Sequence, residues 1–183
     1  MDAVRSNARK LLFLALYIAL IFASIPFIWR LEVYLRARHL LMLSVYIALA
    51  LYIAVLVVIM IRYAERRWLA AAVLAVYTVV YTLIIIQVRG FDKKIHFIEY
   101  GILAFLFYDV FRVRMPRPAA HAATLAAVVA VGWVDEVIQS MVPHRSYDLG
   151  DFMINIYAAL LMLLLVFIFE RFRAAGSPSG KIN

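Results

Sequence analysis

Apolar residues in this chain come in long unbroken runs separated by short polar connectors. Six runs stand out, at about 11–29, 40–61, 68–88, 95–111, 122–142 and 152–170. The run at 40–61 is apolar on every helical face. A transmembrane β-barrel would instead alternate apolar and polar positions over roughly ten residues. About 20 apolar residues cross a bilayer core as a helix, so the pattern predicts an all-α, polytopic transmembrane helix bundle of about six spans.

The fourth and fifth runs differ from the rest. The fourth is interrupted by His96 and Glu99 near its start and Asp109 near its end, and predicts a helix that enters the membrane only in part or lines a polar cavity. In the fifth, Ala122, Ala126 and Ala130 fall four apart, with Ala123, Ala127 and Gly132 adding small side chains. Small residues at helical spacing let backbones approach, which predicts this helix at the centre of the bundle. Pro26 sits near the end of the first run, where a kink is tolerated.

Composition agrees with the pattern: 67% of the 183 residues are hydrophobic, well above a soluble domain. The net charge of +8 would suggest nucleic acid in a soluble protein, but the basic residues lie between apolar runs, where they act as topology anchors. No nucleic-acid partner is expected. The absence of cysteine removes disulfides, thiol nucleophiles and thiolate metal sites. Arg5, Arg9 and Lys10 before the first run resemble a signal peptide, yet that run is long and lacks a clear small-x-small cleavage site, so an uncleaved first helix is expected.

Twelve of the 19 Lys and Arg residues fall on the side of the N-tail, the second and fourth connectors and the C-tail. Both termini are therefore expected in the cytoplasm, and the chain in the cell membrane. The tail 174–183, with Gly176, Pro178 and Gly180, reads as disordered.

Six of the 11 acidic residues fall in two stretches: Asp92 and Glu99, then Asp135, Glu136, Asp148 and Asp151. These stretches lie at the third and fifth connectors, two crossings apart and hence on one membrane side. At about 100° per residue, His96, Glu99, Tyr100 and Leu103 share one narrow helical face. Gly132, Asp135, Glu136 and Gln139 repeat the same offsets, and Asp148, Asp151 and Asn155 fit a similar arc. Charges at membrane depth are costly unless paired or hydrated, so the three faces should turn towards one another. Simpler roles exist for each group: Asp148 and Asp151 as a cap of the sixth helix, Asp135 and Glu136 as interfacial residues, His96 as a structural histidine, Lys93 and Lys94 as snorkelling anchors.

The segment Asp92-Lys93-Lys94-Ile95-His96-Phe97-Ile98-Glu99-Tyr100-Gly101-Ile102-Leu103 is similar to a D-K-x-x-H-F-x-x-Y-x-x-L motif. Asp135-Glu136-Val137-Ile138-Gln139, followed by Pro143, Arg145, Asp148, Asp151 and Asn155, is similar to a D-E-x-x-Q, P-x-R-x-x-D, D-x-x-x-N run. Together they resemble the VanZ-like family of small bacterial membrane proteins, over roughly residues 68–170. The resemblance divides the chain into a two-span extension (1–67), a four-span VanZ-like core (68–173) and the tail. Ala158 departs from the family, which often has glycine after the asparagine. The resemblance implies a cell-envelope membrane protein, and a role in glycopeptide (teicoplanin) resistance like that associated with the family's best-known member. It implies no settled chemistry.

The residues themselves suggest a site for the head group of a lipid or lipid-linked envelope precursor. Arg145 with Lys93 or Lys94 would hold phosphate, His96 would move a proton, and Asp135, Glu136 and Asp148 would serve as bases. Tyr100, Gln139 and Asn155 would orient them. Asp148 and Asp151 are the candidate ligands for a divalent cation such as Mg²⁺. Hydrolysis through Ser146 has little support, because no nucleophile–base motif accompanies it. The rival readings are a non-catalytic binding or interaction protein, with homo-oligomers as a candidate assembly, and a proton-coupled transporter. The absence of repeats counts against the last.

Overall fold

The computed structural model describes residues 2–63, 67–143, 145 and 147–176. Six helices follow in order: α1 (Asp2–Ala37), α2 (Leu41–Tyr63), α3 (Arg67–Gln87), α4 (Phe91–Phe111), α5 (Arg117–Ser140) and α6 (Leu149–Gly176). No strand occurs among the described residues. In hydrocarbon every backbone N–H and C=O must find a partner within the protein, and helices made of these apolar runs meet that demand locally. The protein is a multi-pass helical bundle of about six spans. α1, α2, α3, α5 and α6 are each long and apolar enough to cross a membrane.

α4 falls short of that measure because it carries Asp92, Lys93, Lys94, Glu99 and Asp109. It is nonetheless the helix around which the others pack, against α6 most extensively and also against α1, α5 and α2. More than half of its residues are buried. The small residues Gly101 and Ala104 on α4, and Ala158 and Ala159 on α6, lie in this core and permit the close approach. Alanine at 158 is fully buried, so the position keeps its small-residue packing role.

This corrects the expectation that α5 lies at the centre. Its alanine stripe (Ala122, Ala126, Ala130) is exposed, and the buried face runs instead through Ala120, Thr124, Val128, Gly132, Asp135, Glu136 and Gln139. Alanine is as acceptable to lipid as to protein, so the stripe carried no direction. The polar end of the helix did, since Asp135, Glu136 and Gln139 cannot face hydrocarbon.

Two helices outrun their apolar runs. α1 has 36 residues, about 54 Å of helix against a hydrocarbon core of about 30 Å. Arg30 and Arg36, expected in a connector, belong to its last turns, where Arg36 pairs with Glu32 one turn earlier at 2.6 Å. α6 likewise continues through Gly176, so residues 174–176 of the expected disordered tail are helical; 177–183 lie outside the described residues.

Two clusters mark the two ends of the bundle. At one end Lys10 of α1 pairs with Asp109 of α4 at 2.9 Å, and Glu170 of α6 accepts from Tyr108 at 2.5 Å and lies 3.5 Å from Arg117 of α5. At the other end the first turn of α4 meets the α5–α6 connector. The Cys-free chain allows this alternation to be checked directly. Arg89→Cys and Tyr147→Cys should react with an impermeant maleimide from one side of sealed vesicles, and Met115→Cys from the other. Labelling of positions 89 and 147 from opposite sides would break the bundle order described above.

Candidate functional site

The α3–α4 turn sets the site's first wall. Gly90 has φ 97° and ψ 138°, a region almost confined to glycine, and a Cβ there would sit 2.8 Å from Asp92 Oδ1. This turn starts α4 abruptly, with Asp92 in its first turn complementing the helix dipole. Lys94, next along, does not reach the site. Its ammonium donates to the carbonyls of Ile85 and Ile86 and caps the C-terminus of α3.

The α5–α6 connector forms the second wall. Successive backbone bonds from Met141 to Ile138, Val142 to Gln139 and Arg145 to Val142 fold it back over the end of α5. Arg145 then donates through Nη2 to Asp92 Oδ2 at 3.0 Å. Its side chain is only 10% exposed, and its Nη1 makes no hydrogen bond among the described residues. Ser146 lies outside the described residues.

Asp148 does several things at once. Its Oδ1 accepts from the Gly150 amide at 2.6 Å, so it is the N-cap of α6, as its simpler reading held. Its Oδ2 accepts from Lys93 at 2.5 Å, and its own amide donates to Glu136 Oε2 at 3.0 Å. Lys93 also donates to Asp151. The hydrogen bond from Lys93 holds the Asp148 carboxyl below the usual carboxylate range, against an opposing push from burial. Asp148 and Asp151 therefore share a lysine ammonium. Among the described residues no group of three or more His, Asp or Glu side chains has the geometry to hold a metal ion.

Deeper in, the three predicted polar faces meet. Tyr100 donates to Asp135 Oδ2 at 2.9 Å. Gln139 Nε2 lies 3.2 Å from His96 Nε2; with the amide donating, the ring is the Nδ1–H tautomer. That N–H then looks towards Asp135 Oδ2 at 3.6 Å and Glu99 Oε2 at 3.8 Å, beyond hydrogen-bond length. Asn155 and Tyr100 converge on Gly132, where a Cβ would lie 3.4 Å from each. Asp135, Glu136, Gln139 and Asn155 are all buried, yet Asp135 Oδ1, Glu136 Oε1 and both amide atoms of Asn155 make no hydrogen bond among the described residues. Native interiors leave few such groups. Their concentration in one place makes this a candidate site.

The structure thus brings Lys93, His96, Tyr100, Asp135, Glu136, Gln139, Arg145, Asp148, Asp151 and Asn155 to one end of the bundle. It also gives partners to two acids of the first stretch that had no assigned role. Asp92 is the partner of Arg145, and Glu99 faces His96. Behind them lies a tyrosine cluster from α1, α2 and α3. Tyr52 and Tyr77 share a hydrogen bond of 2.8 Å, Tyr81 stacks on Tyr52 at 4.4 Å and donates to the Phe97 carbonyl at 2.7 Å, and Tyr17 donates to the Glu99 carbonyl at 3.2 Å. The signal was present: Tyr77 and Tyr81 fall one turn apart inside an apolar span, where a phenol needs a partner.

The chain is similar to an uncharacterized protein of the fission yeast Schizosaccharomyces pombe, with 33% identity over 82 residues, or 45% of this chain and 50% of that one. The chain thus spans about half the length of the curated relative it matches. No family model matches it, and neither does any solved structure.

Proposed function

We propose that this protein binds the phosphate of a lipid or lipid-linked head group at the α4–α6 end of the bundle, and that His96 handles a proton there. The observation that carries the reading is Arg145. One terminal nitrogen of its guanidinium, Nη2, holds Asp92, while the other, Nη1, on a side chain nine-tenths buried, faces no described partner. A guanidinium offers a planar fork that fits phosphate oxygens, and an unused prong at one end of a multi-pass membrane bundle favours a lipid as its source. His96, held by Gln139 and facing two carboxylates, is the group to which we assign proton handling.

The resemblance to VanZ-like proteins supports a protein of the cell envelope membrane, and the Lys and Arg distribution, with both termini cytoplasmic, favours the outer face for the site. A glycopeptide-resistance role would follow from altering a lipid-linked envelope precursor. In the non-catalytic version the same site only sequesters the lipid.

The test uses full-length protein purified with its co-extracted lipids. Arg145→Ala should strip phosphate-bearing lipid from the protein, and Arg145→Lys should retain part of it, because an ammonium keeps the charge and loses the fork. His96→Gln should keep the lipid. If envelope-lipid composition changes in wild-type cells and not in His96→Gln cells, the site is catalytic; unchanged composition in both makes it a binding site. Undiminished lipid on Arg145→Ala would sink the head-group reading. Teicoplanin susceptibility of the same strains tests the resistance role.

A further inference from the structure

The site has a charge problem that restricts its ligand. Among the described residues the carboxyl groups of Asp92, Glu99, Asp135, Glu136, Asp148 and Asp151 share two permanent cations, Lys93 and Arg145, with His96 facing two of them, since Lys94 is spent on the end of α3. An anionic head group arriving on Arg145 adds a negative charge next to Asp92, which lies 3.0 Å from the guanidinium. Either both anions crowd one cation, or Asp92 is displaced and left unpaired. In a region of low dielectric each alternative is costly. A head group that carries its own cation avoids both, because phosphate replaces Asp92 on Arg145 and the ligand's cation takes Asp92.

The hydrogen-bond inventory points the same way. The unpartnered buried atoms include three acceptor oxygens, on Asp135, Glu136 and Asn155. The donors are Arg145 Nη1 and Asn155 Nδ2, with His96 Nδ1 in the tautomer described above. Such a lining suits a ligand with one phosphate and several N–H donors. The molecule already shows how it grips such a group. Lys93 is a primary alkylammonium clasped by Asp148 and Asp151, and it is 25% exposed at the mouth of the site.

We propose, building on the head-group reading above, that the ligand is a phospho-amine head group with a primary ammonium, its phosphate on Arg145 and its ammonium on Asp92. The nitrogen and phosphate of an ethanolamine ester are two carbons apart, which suits partners that now touch each other. A quaternary ammonium has no N–H to donate, so choline esters lack the second half of the recognition. A glycerol ester lacks the charge.

The experiment places the full chain in nanodiscs of phosphatidylcholine containing equal minor fractions of phosphatidylethanolamine, phosphatidylglycerol and diacylglycerol. Tightly held lipid is then read by native mass spectrometry. Phosphatidylethanolamine should be enriched over phosphatidylglycerol by about tenfold, a difference of about 1.4 kcal/mol. Asp92→Asn should bring the two within about twofold of each other while both stay bound. The wild-type comparison stands without any variant, should Asp92→Asn fail to fold. Equal enrichment of the two lipids in the wild type, both lost in Arg145→Ala, overturns the phospho-amine and leaves the phosphate site intact. Retention of diacylglycerol as good as either overturns both. Displacement of phosphatidylethanolamine by an equal concentration of glycerophosphoethanolamine assigns the site to a soluble head group and overturns the lipid as its source.

Discussion

Lys93→Met is expected to destabilise the bundle by about 3 kcal/mol, because it leaves a carboxylate inside the protein without its counter-ion. Lys93 holds two acids of different standing. The Asp148 side chain is 48% exposed and keeps its cap bond to Gly150, so water and the helix N-terminus compensate most of its loss. Asp151 is only 6% exposed, and Lys93 is its only described side-chain partner, so nearly all the cost falls there. Methionine preserves the stem that Lys93 packs along α4, which separates lost charge from lost packing. The double change Lys93→Met with Asp151→Asn should recover most of the stability, because it removes the stranded charge along with its partner. Unfolding in mixed micelles would measure both, and a single-variant loss below about 0.5 kcal/mol would put Asp151 in contact with water.

A pH titration gives the same pair a second signature. Asp148 has a folded pKa below its ordinary 3.8, so its share of the stabilisation is complete above that value. It is lost as pH falls through the lower folded value, where the folded carboxylate takes up its proton. The exposure of Asp148 keeps this share small. Wild type should therefore lose stability on acidification through this range. Lys93→Met should show a flatter acid limb, since the bond that depresses the pKa has gone.

The spans were legible from the sequence because lipid imposes one simple demand on them. The three polar faces were legible for the complementary reason. Asp135, Glu136 and Gln139 share one side of a helix that is otherwise apolar, and only protein can receive them. Partner choice was not legible. The order of spans and connectors places Lys93 and Arg145 at the same end as six carboxyl groups, but which acid each cation takes depends on how the α5–α6 connector folds back. Arg145 chooses Asp92 because the turns at 141–145 carry it over the end of α5. The centre of the bundle was misread for a related reason. Small residues permit close packing without requiring it, so the exposed stripe of α5 and the buried Gly101 and Ala104 of α4 look alike in sequence.

The two ends of the bundle differ in how completely their charges are satisfied, and this separates the readings of function. At the Lys10–Asp109 and Tyr108–Glu170–Arg117 end, each of these acids meets a described donor. At the other end the ion pairs lie beside Asp135 and Glu136, each with one carboxylate oxygen unpaired among the described residues, and Asn155, whose amide atoms meet no described partner. Structural glue explains the first arrangement well. It explains the second poorly, because a bundle stabilised by polar contacts gains nothing from leaving buried oxygens unpaired. Transport would need a route onward from this cluster. The residues behind it are Tyr52, Tyr77, Tyr81 and Phe97, stacked ring on ring with their hydroxyls tied to each other and to the α4 backbone.

Tyr100→Phe should cost about 2–3 kcal/mol, the second large effect, because it removes the one described hydrogen bond to a fully buried carboxylate. Asp135 Oδ2 accepts from Tyr100, Oδ1 accepts from no described group, and His96 Nδ1 stands 3.6 Å off. Without the phenol, Asp135 must draw His96 closer or stay without a described hydrogen bond. Asp135→Asn should cost less, about 1 kcal/mol, since a neutral amide still bonds the phenol and is cheaper to bury. Tyr100→Phe combined with Asp135→Leu should be more stable than Tyr100→Phe alone, because removing both partners strands neither. These three values form a test with a definite failure: if the double variant is the least stable, packing rather than the charged hydrogen bond holds this corner together. The same variants bear on function through His96. Asp135→Asn leaves the fold in place but removes the carboxylate that the imidazole faces. Normal lipid retention with loss of any lipid conversion would then assign Asp135 to proton handling, and unchanged conversion would confine it to positioning Tyr100 beside Asn155.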